Sequence, residues 1–96
     1  MYLKRLERAH DDKHKYVAVY DVNGREKRVP FGAKNYTDFT LGASEDQRAN
    51  YIRRHTNDRE NHNNPLTPAA LSRHILWGET RSVSENLRKF RRKFNV

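Results

Sequence analysis

Residues 15–24 decide the fold, and they read Lys15-Tyr16-Val17-Ala18-Val19-Tyr20-Asp21-Val22-Asn23-Gly24. Apolar residues alternate between the two faces of a strand, with Tyr16, Ala18, Tyr20 and Val22 on one face and Val17 and Val19 on the other. The Asn-Gly pair that follows supplies the two positive-φ residues that a two-residue hairpin turn requires. The stretch therefore predicts a β-hairpin.

The return strand of this hairpin is predicted over residues 25–31. Val29 and Phe31 alternate there with Arg28 and Pro30. Proline cannot donate a ladder hydrogen bond, so Pro30 marks an edge strand or the end of the strand. Residues 32–42 lack a clean period and predict a loop that packs aromatic side chains onto the hairpin.

Three short helices are predicted after the hairpin. Ser44-Glu45-Asp46-Gln47 is a capping box that opens a helix to about His55. Thr67-Pro68 is typical of an N-cap and first helical position, and this second helix should close at Gly78. Ser82 with Glu85 opens the third helix, which should end near Phe94. The predicted class is α+β, an N-terminal β-hairpin followed by about three short helices.

Length and composition predict one small domain with a thin core. The chain has 96 residues, of which 34% are hydrophobic and 33% charged. A domain near this size buries roughly two thirds of its unfolded surface at best, so we expect a partner to cover some apolar surface. Residues 1–14 are charged and poor in bulky apolar side chains, which predicts an N-terminal arm. The single α+β domain is then expected over residues 15–96.

Several kinds of chemistry find little support in the sequence. The chain has no cysteine, which excludes disulfides, Cys-based zinc sites and thiol nucleophiles. His10 and His14 stand four residues apart without a third ligand at fixed spacing, so we expect no metal site. No phosphate-binding glycine loop or nucleophile elbow occurs. We expect no enzymatic activity, no cofactor and no small-molecule substrate. No apolar run has the length of a signal peptide or a membrane span.

The charge balance points to a negatively charged partner. Twenty Lys and Arg residues against twelve Asp and Glu residues give a formal net charge of +8. An unbalanced positive face attracts phosphate groups or acidic protein surfaces, and it can also be a solvated face that only keeps the protein soluble. The candidate anion-binding or partner-binding residues are Arg53, Arg54, Arg88, Lys89, Arg91, Arg92 and Lys93. Four aromatic residues are candidate interface residues: Tyr2, Tyr20, Tyr36 and Trp77.

The order of motifs resembles a family of small basic proteins of nucleocytoplasmic large DNA viruses that infect algae and amoebae. The likeness covers about Lys15 to Phe94 and implies a viral, virion-associated context rather than a mechanism. Seven motifs in order carry it: Lys15-Tyr16-Val17-Ala18-Val19-Tyr20, Val29-Pro30-Phe31-Gly32-Ala33, Tyr36-Thr37-Asp38-Phe39-Thr40, Tyr51-Ile52-Arg53-Arg54-His55, Arg59-Glu60-Asn61, Pro65-Leu66-Thr67 and Leu71-Ser72-Arg73-His74-Ile75-Leu76-Trp77.

Two functions fit this context. The first is a minor capsid (cement) protein, made in the host cytoplasm, that contacts the major capsid protein and other minor capsid proteins on the inner face of the virion shell. The second is a sequence-nonspecific DNA-binding or genome-condensing protein that uses its basic C-terminal helix on phosphates. The sequence modestly favours the first, because twelve acidic residues are interspersed among the basic ones.

Overall fold

The computed structural model describes residues 1–56 and 62–96 and has an α+β architecture with a three-stranded antiparallel sheet. The predicted class and the number of helices are confirmed. A 3₁₀ turn at Phe39–Leu41 precedes the helices, and a π-helical turn at Ser72–Leu76 continues the second helix. The regular elements are β1 Tyr2–Arg8, β2 His14–Val22, β3 Arg25–Ala33, α1 Glu45–Arg54, α2 Pro68–Leu71 and α3 Val83–Phe94.

Strands β2 and β3 form the predicted hairpin. Asn23 and Gly24 both have positive φ, 54° and 81°, and they connect the paired residues Val22 and Arg25. The sheet order is β1-β2-β3, so β3 is an edge strand, and it tolerates Pro30 for that reason. The hairpin and its turn are thus confirmed, while β3 continues to Ala33, beyond the predicted end at Phe31.

The N-terminal segment corrects the sequence prediction. Residues 2–8 are not an arm but strand β1, which pairs with Tyr16 to Asp21 of β2. A β-bulge between Leu3 and Arg5 shifts the register, so that Leu3 pairs with Tyr20 and Leu6 with Ala18. Both leucines then point to one face although they stand three residues apart. Residues 2–8 belong to the same sheet as the hairpin.

The core lies between one face of the sheet and the helices. Strands β2 and β3 contribute Ala18, Tyr20, Val29 and Phe31, and β1 adds Leu3, which is only 2% exposed. Across from them pack residues of α2, the π-helical turn and α3, namely Ala70, Leu71, Ile75, Leu76 and Phe90. A Cβ at Gly32 would lie 2.7 Å from Leu76 Cδ1, so this glycine permits the close approach of the two layers.

The other face of the sheet carries ion pairs. Val19 is fully buried there, between Arg5 and Arg28 in the strand register. Both arginines donate to the carboxylate of Glu7, and Arg28 also reaches Glu26 at 3.3 Å. These arginines hold the pKa of Glu7 below its usual range. The charges on this face therefore largely neutralise one another.

The helix termini follow the capping signals of the sequence. Ser44 and Gln47 form the reciprocal capping box at the start of α1, which ends at Arg54 with His55 as its C-cap, close to the predicted end. Thr67 caps α2 and Ser82 caps α3. The motif Arg59-Glu60-Asn61 lies outside the described residues. Within residues 1–56 and 62–96, no helix is long and apolar enough to cross a lipid bilayer.

Candidate functional site

An open groove of about 740 Å³ lies between α1, the end of β3 with the loop after it, and the π-helical turn. It brings together four residues that the sequence singled out separately. Arg53 and Arg54 come from the last turn of α1, Tyr36 from the loop, and Trp77 from the end of the π-helical turn. We call this cavity the groove.

A stack of three aromatic rings lines one side of the groove. The Tyr51 ring lies 4.4 Å from the Trp77 ring with an interplanar angle of 6°, and 4.2 Å from the His55 ring on its other side. Tyr51 and His55 are one helical turn apart on α1, which places them on the same face. The carbonyl of Trp77 accepts hydrogen bonds from Arg48 Nε at 3.2 Å and from Arg73 at 3.3 Å. These bonds tie the end of the π-helical turn to α1.

The carboxylate of Asp38 lies in the groove wall, and both of its oxygens already have partners. Lys15 Nζ lies 2.6 Å from one of its oxygens, and the two side chains are only 9% and 1% exposed. The other oxygen accepts hydrogen bonds from the backbone N–H groups of Thr40 and Leu41 and from the Thr40 hydroxyl. Asp38 therefore neutralises Lys15 and caps the 3₁₀ turn, while the exposed guanidinium groups of Arg53 and Arg54 set the sign of charge in the groove.

Helix α3 presents a second basic surface. Four exposed side chains span about 140° of the helix at 100° per residue. We call this surface the α3 face, and it consists of Arg88, Lys89, Arg92 and Lys93. Lys89 lies 3.9 Å from Glu79, whose side chain is 77% exposed, a pairing that solvent weakens.

Arg91, the fifth predicted basic residue of α3, has a different role. Its guanidinium donates to the carbonyl of Leu3 at 2.9 and 3.1 Å and to the carbonyl of Lys4 at 3.0 Å. Arg91 thus holds α3 against the bulged part of β1. Because its guanidinium is engaged in these packing contacts, Arg91 is not counted in the α3 face.

A smaller cavity of about 510 Å³ lies beside the α3 face, between α3 and the π-helical turn. His74 borders it, half-buried, with its Nε2 atom 3.0 Å from the carbonyl oxygen of His62 and its ring edge-on to Phe94. Burial lowers the pKa of His74, and the nearby cations Arg73 and Lys93 act in the same direction. These effects outweigh the hydrogen bond with His62, which acts in the opposite direction, and they favour the neutral form of the His74 ring.

The four predicted interface aromatics divide into different environments. Tyr2 and Tyr36 are 52% and 73% exposed, and Trp77 is half-buried in the groove. Tyr20 is fully buried, because it lies on the core face of the central strand, and its hydroxyl donates to the carbonyl of Pro65. Burial also raises its pKa. Tyr20 is a core residue, which corrects its assignment as a candidate interface residue.

Sequence reasoning missed Tyr51, Lys15 and Asp38 as parts of the groove. The spacing of Tyr51 and His55 on a capped helix is a signal that could have indicated the aromatic stack. The pairing of Lys15 with Asp38 spans 23 residues and carries no local signal. Within residues 1–56 and 62–96, no group of three or more His, Asp or Glu side chains is arranged to hold a metal ion.

Comparison with known proteins gives one family. A model described as a family of unknown function, DUF5754, matches residues 4–55. No curated protein and no solved structure matches the chain. The matched segment runs from β1 through α1, so it contains Tyr36, Arg53 and Arg54 but neither Trp77 nor the α3 face. The match covers more than half of the 96 residues, and the chain therefore belongs to the DUF5754 family.

Proposed function

We propose that the protein is a non-catalytic nucleic-acid-binding protein that contacts the phosphate backbone through the α3 face and the arginines of the groove. The observation that carries the proposal is the unequal distribution of charge. The cations on the outer sheet face are paired with carboxylates, whereas the four cations of the α3 face meet only one distant, exposed glutamate among the described residues. Surfaces of this kind bind phosphate by releasing counterions.

The viral resemblance supplies the setting of the proposal. In that setting the nucleic acid is the viral genome, and the protein acts in its binding or condensation inside the particle. The groove and the α3 face would both place cations against phosphates. Neither would form hydrogen bonds with the edges of bases in a duplex. Binding through such contacts is sequence-nonspecific, since phosphates carry no sequence information.

Salt dependence of binding tests this proposal. The variant Arg88→Gln/Lys89→Gln/Arg92→Gln/Lys93→Gln lowers the formal charge from +8 to 8 − 4 = +4. We expect its binding to duplex DNA to weaken and the slope of log K against log salt to become about 3 to 4 units shallower, because each phosphate contact contributes about 0.9. Fluorescence anisotropy with labelled DNA at several salt concentrations measures both quantities.

A matched variant separates the α3 face from net charge alone. Lys13, Arg25, Lys27 and Lys34 are exposed and lie on the β-hairpin side of the molecule. Changing these four to glutamine also gives +4, and we expect the slope to stay near that of the unmodified protein. Equal losses in the two variants would show that total charge, rather than the α3 face, drives binding.

A minor capsid (cement) role is the second candidate. Tyr36 and Leu41 are 73% and 64% exposed within the one loop between β3 and α1, and such apolar surface suits a protein partner. In this role the loop would contact the major capsid protein or another minor capsid protein on the inner face of the shell.

Chemical cross-linking of purified virus particles followed by mass spectrometry discriminates the two candidates. Lys34 lies beside this loop, and Lys89 and Lys93 lie on the α3 face. Cross-links from Lys34 to capsid subunits support the cement role. Cross-links confined to genome-associated proteins count against it, and absence of the protein from the particle would rule out both virion roles.

A further inference from the structure

We propose that the groove binds one nucleotide of a single-stranded nucleic acid, with the base stacked on Tyr36 and the phosphate held by Arg53 and Arg54. This inference rests on the proposed nucleic-acid-binding function and deepens it, because it assigns the groove to an unpaired base. The α3 face then supplies only additional phosphate contacts.

The size and walls of the groove fit this ligand. Its volume of about 740 Å³ lies within the range of roughly 300–1,000 Å³ that small-molecule sites occupy. Its floor is aromatic, formed by the parallel rings of Tyr51 and Trp77. Tyr36, from the loop after β3, also lines the groove, and 73% of its surface is exposed. The groove therefore combines an exposed tyrosine ring, on which a base can stack, with other aromatic side chains in its wall.

The charges of the groove fit a phosphate at its edge. Arg53 and Arg54 are both exposed at the end of α1, and guanidinium groups bind phosphate oxygens in a bidentate manner. Asp38 does not oppose an anion, since Lys15 neutralises it at 2.6 Å. Aromatic and cationic side chains therefore lie within one cavity, the combination that single-strand-binding proteins use.

An unpaired strand is favoured over a duplex for a geometric reason. In a duplex each base is stacked on its neighbours and paired, so only its edges are accessible in the grooves. The exposed Tyr36 ring can stack on the face of a base, and base faces become available only when the strand is single. The α3 face, by contrast, can contact the phosphates of either form.

The only tryptophan of the chain, Trp77, allows a direct test by intrinsic fluorescence. The probes are a short oligothymidylate, an abasic strand with the same number of phosphates, and a duplex of the same length. We expect oligothymidylate to quench Trp77 emission and to bind about tenfold more tightly than the abasic strand, since one base–aromatic stack is worth about that factor. The Tyr36→Ala variant should bind both strands with the affinity of the abasic strand.

The matched control is Tyr2→Ala, because Tyr2 is also exposed, at 52%, but lies on β1 outside the groove. This variant should keep the preference for oligothymidylate. Circular dichroism of both variants confirms that they are folded. Equal binding of oligothymidylate and abasic strand by the unmodified protein, or a preference that survives Tyr36→Ala, overturns the inference while leaving the phosphate-binding function intact. Failure to bind any of the three probes overturns both.

Discussion

At the scale of single residues, some arginines of this chain hold segments of the fold together, whereas others, such as Arg88 and Arg92, are exposed and available to a partner. Arg48, Arg81 and Arg91 donate to backbone carbonyls and hold segments together. Arg48 and Arg81 also lie over the Phe39 ring, at 5.5 and 4.1 Å from its centroid. A net charge of +8 consequently overstates the positive charge that is available to a partner. The sequence does not separate the two roles, because Arg91 and its exposed neighbours have the same residue type and the same helix.

Replacing the buried carboxylate of Asp38 should lower the stability of the fold strongly. Asp38→Ala leaves the buried Lys15 ammonium and two backbone N–H groups of the 3₁₀ turn without their acceptor. We expect the free energy of unfolding to fall by about 3–5 kcal/mol, the typical cost of breaking a buried ion pair. Urea denaturation followed by Trp77 fluorescence measures the change.

The companion variant Lys15→Met tests the pairing itself. It removes the buried charge while leaving Asp38 with the donors of Thr40 and Leu41, and its loss of stability should be clearly smaller than that of Asp38→Ala. A change below about 1 kcal/mol for Asp38→Ala would contradict the buried-pair interpretation.

His74 should make stability depend on pH. Burial lowers its pKa from the usual 6.5, so the folded protein binds fewer protons at this site than the unfolded chain does. By linkage, its contribution to stability is complete above pH 6.5 and is lost as the pH falls below that value. The unfolding temperature, measured from about pH 5 to about pH 8, should depend less on pH in His74→Gln than in the unmodified protein. Identical pH profiles would show that His74 does not carry this effect.

At the scale of elements, the capping signals predicted where the three helices begin, whereas β1 and the π-helical turn depend on tertiary contacts. The bulge in β1 puts its inward residues, Leu3 and Leu6, three positions apart, which hides the alternation that identifies a strand. No sequence pattern in residues 72–76, which follow α2, predicts the π-helical turn. It is closed by a bond from the Trp77 N–H to the Ser72 carbonyl at 2.9 Å.

The side chain of Asn86 on α3 forms hydrogen bonds with the π-helical turn and with the segment that follows it. Its side-chain amide donates to the carbonyls of Ile75 and Thr80, at 2.7 and 2.8 Å, and its oxygen accepts from Thr80. A Cβ at Gly78 would lie 2.4 Å from the His74 carbonyl oxygen and 2.8 Å from Asn86, so this glycine allows the two segments to meet.

Asn86→Ala should therefore destabilise the fold. Each buried partner left without a hydrogen bond costs about 1–3 kcal/mol. Asn35→Ala is the matched control, since Asn35 is exposed in the loop after β3, and it should change stability little. Chemical denaturation of both variants gives the comparison, and equal effects would refute the bridging role of Asn86.

Strand β1 should contribute strongly to stability. Leu3 is 2% exposed in the core, and Leu3→Ala is expected to cost about 2–5 kcal/mol, as large-to-small core substitutions do. Tyr2→Ala, one residue away and half-exposed, should cost far less. Thermal unfolding that leaves Leu3→Ala as stable as the unmodified protein would mean that residues 2–8 are dispensable for the fold.

At the scale of the whole molecule, the sequence shows which residues of the groove stand out, but it does not show that they lie together. Arg53, Arg54, Tyr36 and Trp77 stand out by residue type. Their convergence in one groove depends on how α1 packs beside the π-helical turn, and no spacing along the chain encodes that contact. The outer sheet face shows the opposite case. Its basic residues look available in the sequence, yet the strand register pairs them with Glu7 and Glu26.

The pairing of β1 with the end of α3 also brings two distant parts of the chain together. The N–H of Leu3 donates to the carbonyl of Val96 at 2.9 Å, so the first strand and the last residue are joined by a backbone hydrogen bond. A short linker can therefore join residue 96 to residue 1. The chain can then be opened at the exposed Asn23-Gly24 turn, which gives new termini there. The fold is accordingly suited to circular permutation. Such a permuted protein would keep both the groove and the α3 face while presenting its ends at the tip of the hairpin.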